Sequence, residues 1–90
     1  MPTEEAEVAH EEQFEIVVDT VPQLVHDATV TWTQVVNFAY PGQAENDKYV
    51  FKVQYEDAAS HPSSGTLVKG DHVEVKRRGT TFSVIRSVVS

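Results

Sequence analysis

Three places in the chain hold residue types that could do chemistry: His10-Glu11-Glu12, His26-Asp27 and the run Ser60-His61-Pro62-Ser63-Ser64-Gly65. A histidine beside a carboxylate is the pair used for general base catalysis. Neighbours in a strand point to opposite faces, however, so His26 and Asp27 do not act on one substrate atom. His10-Glu11-Glu12 has metal-ligand types, yet one histidine with adjacent carboxylates in an acidic arm lacks the fixed geometry that a metal ion needs. Ser63 and Ser64 come with no nucleophile elbow and no acid partner, and read as loop residues. The chain has no cysteine, hence no thiolate nucleophile, no thiolate metal site and no disulfide, which fits a reducing compartment. The expectation is no catalytic residue, no metal, no cofactor, and a chain that is not an enzyme in its own right.

Whatever positions such residues must be built within one domain, since 90 residues allow a single modest core. The organising element is the stretch from Val30 to Gly42, the one segment with helical periodicity. Trp32, Val35, Val36 and Ala39 recur at i, i+3, i+4 and i+7, which makes one apolar stripe that needs a sheet to cover it. Thr31 is placed to cap the first turn, and Gln34 to reach back to the Thr31 amide, with Val30 and Val35 at the staple positions. Pro41-Gly42 ends the helix. Trp32 and Phe38 are expected in the core.

Strand periodicity accounts for most of the rest. Phe14, Ile16 and Val18 alternate with Glu15, Val17 and Asp19, giving a strand from Phe14 to Asp19. Thr20-Val21-Pro22 is expected to turn the chain into a second, antiparallel strand, Gln23 to Ala28, in which Leu24 and Val25 are adjacent and only one can face the core. Tyr49 to Tyr55 alternates again, with Phe51, Val53 and Tyr55 on one face. A loop from Glu56 to Gly65 leads to a short strand at Leu67-Val68, a tight turn at Lys69-Gly70-Asp71 and a strand from Val73 to Lys76. After a turn at Arg77-Arg78-Gly79-Thr80, the final strand runs from Thr81 to Val88 with Phe82 and Val84 at core spacing.

Charge and hydropathy bound the partners. Fourteen acidic against seven basic residues give a formal charge of −7, which opposes a phosphate backbone, so no nucleic acid partner is expected. No apolar run approaches the roughly 20 residues of a membrane span, and the N-terminus is acidic where a signal peptide is basic. A cytoplasmic chain with no membrane partner is the expectation. Glu4, Glu5, Glu7, Glu11 and Glu12 leave residues 1–12 little to bury, so this segment reads as an acidic disordered tail.

Two strands, a helix and further strands suggest an α+β fold of the β-grasp kind, a mixed sheet with one crossing helix and the last strand beside and parallel to the first. A small α+β roll of another topology is the alternative. Residues 13–86 would form this domain, and 87–90 a flexible C-terminal tail that leaves the sheet.

On these residues the chain resembles the bacterial multiubiquitin family, the ubiquitin-like β-grasp proteins of bacterial ubiquitination-like operons. The likeness is carried by the helix from Val30 to Gly42, by Tyr49 to Tyr55, by Gly65-Thr66-Leu67-Val68-Lys69-Gly70-Asp71, and by Val73-Glu74-Val75-Lys76 with Thr81-Phe82-Ser83-Val84 as a closing hairpin. It covers about residues 14 to 86. The resemblance implies a protein modifier, activated at its C-terminal carboxylate and transferred to target proteins by partners resembling a ubiquitin-activating enzyme and a ubiquitin-conjugating enzyme, with a processing peptidase beside them. Eukaryotic modifiers end in two glycines that thread a narrow channel, whereas this sequence reads Val88-Val89-Ser90; the multiubiquitin family is not held to the diglycine ending. Under this resemblance Ser90 is the conjugation terminus, and Val88 and Val89 are the partner-recognition residues. A non-covalent β-grasp adaptor is the alternative.

Overall fold

The computed structural model describes residues 13–88. Alternation builds the first hairpin: in β1 (Phe14–Val18) Phe14, Ile16 and Val18 are buried, and β2 (Val21–Val25) returns antiparallel with Phe14 opposite Val25 and Val18 opposite Val21. That register decides between the two adjacent apolar residues, for Val25 is buried and Leu24 is 58 % exposed. The hairpin is tighter than the sequence reading. Asp19 and Thr20 form its turn, with φ of 49° and 70°, the left-handed pair whose twist matches that of the flanking strands. The second strand therefore starts at Val21 and ends at Val25, not at Ala28, and Pro22 is accommodated because β2 is an edge strand.

The helix α1 (Trp32–Ala39) has the anticipated cap. The Thr31 hydroxyl accepts the Gln34 N–H at 3.1 Å, and the Gln34 side-chain oxygen accepts the Thr31 N–H at 3.0 Å. Trp32, Val35 and Val36 are buried, as is Val30 before them, while Phe38 and Ala39 are half-buried against the same core. Tyr40 closes the last turn through its N–H to the Val36 carbonyl, and Gly42 leaves it at a φ of 80°.

Four strands complete the chain: β4 (Tyr49–Glu56), β5 (Gly65–Leu67), β6 (His72–Glu74) and β7 (Arg78–Val88). The main sheet has the order β2-β1-β7-β4-β5, with β1 and β7 parallel and every other pair antiparallel. One helix packed on one face of this mixed five-stranded sheet, with the first and last strands side by side at its centre, is the β-grasp. Phe51, Val53 and Tyr55 from β4 and Phe82 and Val84 from β7 face the helix, as their alternation requires.

Three features depart from the sequence reading. Thr29–Thr31 forms a short strand, β3, which pairs with β6 in a separate two-stranded sheet, so the expected closing hairpin does not form: β6 and β7 are not neighbours. Three residues are too few to show a period, and Val30 and Val73 meet only once the fold brings them together. Secondly, β6 covers His72–Glu74 in place of Val73 to Lys76, although Val75 is still buried and donates its N–H to the Ala28 carbonyl. Thirdly, Arg78-Gly79-Thr80 belongs to the last strand. Opposite it, Glu15 pairs with Arg78 and Ile16 with Thr80, which leaves Gly79 as the extra residue of a bulge at a φ of 97°. Thr80 is fully buried and satisfied there: its hydroxyl donates to the Asp57 carbonyl at 2.7 Å and accepts the Lys76 N–H at 3.0 Å.

Candidate functional site

The far end of β7 follows from where its neighbours stop. Asp19 donates its N–H to the Phe82 carbonyl at 2.9 Å, and its carboxylate accepts the Val84 N–H at 3.0 Å. Phe82 and Val84 thus turn their backbone groups towards β1, and in a regular strand Ile85 and Ser87 turn theirs towards β4. The chain of β1 has ended by then, at Val18 opposite Phe82. On the other side β4 continues the pairing, with Ile85 opposite Lys52, Ser87 opposite Val50 and Val88 opposite Tyr49. The last residues of β7 are a strand held from one side only.

Arg86 fastens that end. It shares the parity of Phe82 and Val84, so its side chain rises on the helix side of the sheet, just past the core. Its guanidinium carbon lies 4.9 Å from the Tyr40 ring centre and 4.5 Å from the Tyr49 ring centre, and one nitrogen donates to the Gln43 side-chain oxygen at 3.3 Å. Both tyrosines also pack against Phe51, with centroids at 5.4 and 6.1 Å. The arginine therefore ties the end of β7 to the end of α1 and the start of β4, at about 0.5–1 kcal/mol for each such contact when partly exposed.

Of the residues singled out from the sequence, Ser87 and Val88, expected in a tail that leaves the sheet, lie within β7, paired with Val50 and Tyr49 of β4, while Val89 and Ser90 fall outside the described residues, as do residues 1–12 with His10-Glu11-Glu12. Val88 is 73 % exposed. On the outward face, Val50 and Ile85 stand on adjacent strands, and both are exposed beside Lys52. His26 and Asp27 are exposed and not joined: the Asp27 carboxylate accepts the Thr29 N–H at 3.0 Å, an Asx turn that starts β3. Ser63 and Ser64 sit in the exposed loop before β5. Among the described residues no group of three or more His, Asp or Glu side chains is disposed to hold a metal ion, and no helix is long and apolar enough to cross a membrane.

The sequence reading missed Arg86, although a signal was present. An arginine in phase with Phe82 and Val84 must leave the core over something, and the aromatic residues at Tyr40 and Tyr49 were available. Which aromatics it meets depends on the β4–β7 register, a contact between residues far apart in the chain.

Comparison with known proteins was consistent with this architecture: the family model described as Multiubiquitin matches residues 14–87. Searches of curated proteins and of solved structures returned no significant match.

Proposed function

Since the chain belongs to the multiubiquitin family, and so carries a ubiquitin-like domain, we propose that it acts as a ubiquitin-like protein modifier in a bacterial, cytoplasmic conjugation pathway. One observation supports this most: β7 runs beyond its β1 partner to Val88, where the strand is held from one side only and Val88 is exposed. A carboxylate that must enter a partner's active site needs such a position. The chemistry belongs to the partners, an enzyme resembling a ubiquitin-activating enzyme and one resembling a ubiquitin-conjugating enzyme, with a processing peptidase. The carboxylate attacks the α-phosphorus of ATP, displacing pyrophosphate and forming an acyl adenylate. An enzyme thiol then displaces AMP, and a target amine displaces the thiol. In this reading Val88 and Val89 are gripped by the partner's channel and Ser90 presents the carboxylate, so the domain itself needs no catalytic residue and no cofactor.

The test is incubation with the cognate activating enzyme and ATP, read by intact mass. An adduct lighter by one water than the sum of the parts is expected, and deleting Val89 and Ser90 should abolish it with the melting temperature unchanged. An adduct of the same yield from the truncated chain would overturn the assignment of Ser90. Absence of any adduct, with binding retained, would favour the second reading, a non-covalent adaptor, for which the exposed Val50, Val68 and Ile85 speak.

A further inference from the structure

Beside the first half of β4 lies a cleft of roughly 340 Å³. It exists because β5 is short. Leu67 pairs with Val53, and the chain then turns away: the Asp71 N–H donates to the Val68 carbonyl at 2.9 Å, and the Asp71 carboxylate accepts the Val68 N–H at 2.9 Å. Tyr49–Lys52 is left with β7 on one side and no strand on the other. It is lined by the buried Trp32, Ala44 and Phe51, by the exposed Val50 and Val68, and by Lys52, Asp47 and Lys69, the last paired with Glu45 at 3.2 Å.

The backbone of this edge has a defined polarity. Phe82 points its carbonyl at Asp19, away from β4, so its partner Tyr55 turns its own backbone groups away from β7, and by alternation Val53, Phe51 and Tyr49 do the same. The Phe51 carbonyl accepts the Trp32 indole N–H at 3.0 Å, and the Tyr49 N–H is directed to the Asn46 carbonyl at 3.4 Å. The Tyr49 carbonyl and the Phe51 N–H remain, with no partner among the described residues. One acceptor at the residue before Val50 and one donor at the residue after it form the half-ladder that a parallel strand completes; an antiparallel strand would need the Phe51 carbonyl, which the indole occupies.

From this geometry we infer that the cleft is a docking site for an extended segment of a partner protein, bound as a short strand parallel to β4, with aliphatic side chains alternating with acidic ones. The residue level with Val50 donates to the Tyr49 carbonyl and accepts from the Phe51 N–H. Its side chain lies on the outward face beside Lys52, where a carboxylate is favoured. The residues before and after it point the other way, onto Trp32, Ala44 and Phe51, where an aliphatic group is favoured. Main-chain bonds hold the segment and alternate side chains select it, as in other strand additions. The site lies on the opposite edge of β4 from β7, and its occupancy is independent of any transfer of the C-terminus.

The test uses the isotope-labelled full chain, titrated with an acetylated, amidated hexapeptide that alternates valine and glutamate and followed by amide chemical shifts. Shifts are expected at Tyr49–Lys52, at Val68 and at the Trp32 indole N–H. Methylating the glutamate amide nitrogens, which face β4, should weaken binding by about threefold to tenfold, the worth of one hydrogen bond, whereas methylating the valine amide nitrogens, which face outward, should leave it unchanged. Lys52→Glu, at an exposed position, should weaken this peptide and strengthen one that alternates valine and lysine. A nitroxide at the peptide C-terminus should broaden Val68 more than Asn46. Absence of shifts at millimolar peptide, equal binding of both methylated peptides, shifts confined to the outward face, or preferential broadening of Asn46 would each overturn the inference.

Discussion

The indole N–H of Trp32 donates to the carbonyl of Phe51 at 3.0 Å, across a buried distance of nineteen residues in sequence. This bond joins the first residue of α1 to the first half of β4, and the two rings meet edge to face at 6.3 Å. Trp32→Phe should leave the Phe51 carbonyl unpaired in a buried setting and leave part of the ring volume empty. The expected loss is on the order of 2 kcal/mol or more, measured by denaturant unfolding. A loss below about 0.5 kcal/mol would mean that water replaces the indole there.

Thr31 and Val36 test the helix from two sides. Thr31→Ala removes the acceptor of the Gln34 N–H and should cost about 1 kcal/mol. Val36 is fully buried, so Val36→Ala should cost more, roughly 1–3 kcal/mol. If urea midpoints show the two changes in the reverse order, the stability of the helix comes from its cap and not from its packed face.

Gly79 sits at a φ of 97° with open space where a Cβ would stand. Any cost of Gly79→Ala is therefore backbone strain alone, about 1–2 kcal/mol. Gly42 has a φ of 80° and equal space but ends a helix and interrupts no ladder, so Gly42→Ala should cost a similar amount. Amide exchange separates the two: only the Gly79 variant should speed exchange in β1, whose register with β7 contains the bulge.

Arg86→Ala removes the cation from between Tyr40 and Tyr49. The global loss should be small, about 0.5–1.5 kcal/mol, because both contacts are partly exposed. The local effect should be larger: amide exchange at Ser87, whose N–H faces β4, should accelerate well beyond the change at Val53. Arg86→Lys keeps the charge and loses the flat guanidinium, and should restore less than half of the protection.

What the sequence by itself determined is what depends on short spacing. The alternation of Phe14, Ile16 and Val18 and of Phe51, Val53 and Tyr55, together with the Thr31–Gln34 cap, involves residues within a few positions of each other, and the strands and the helix stand where those spacings put them. The parallel placement of the first and last strands was expected from the β-grasp order of elements, which the apolar Ile16, Val18, Phe82 and Val84 suit. Only the tertiary structure decided the rest. Leu24 and Val25 are equally apolar, and a two-residue turn further up the chain chose between them. The pairing of Val30 with Val73, the bulge at Gly79, the tyrosines on either side of Arg86 and the open edge at Tyr49–Phe51 all depend on where a neighbouring strand begins or stops. A strand's side-chain period is a local property of its own residues, whereas its partner and the length of their pairing belong to two segments at once, and are fixed only when the packed core sets one register over another.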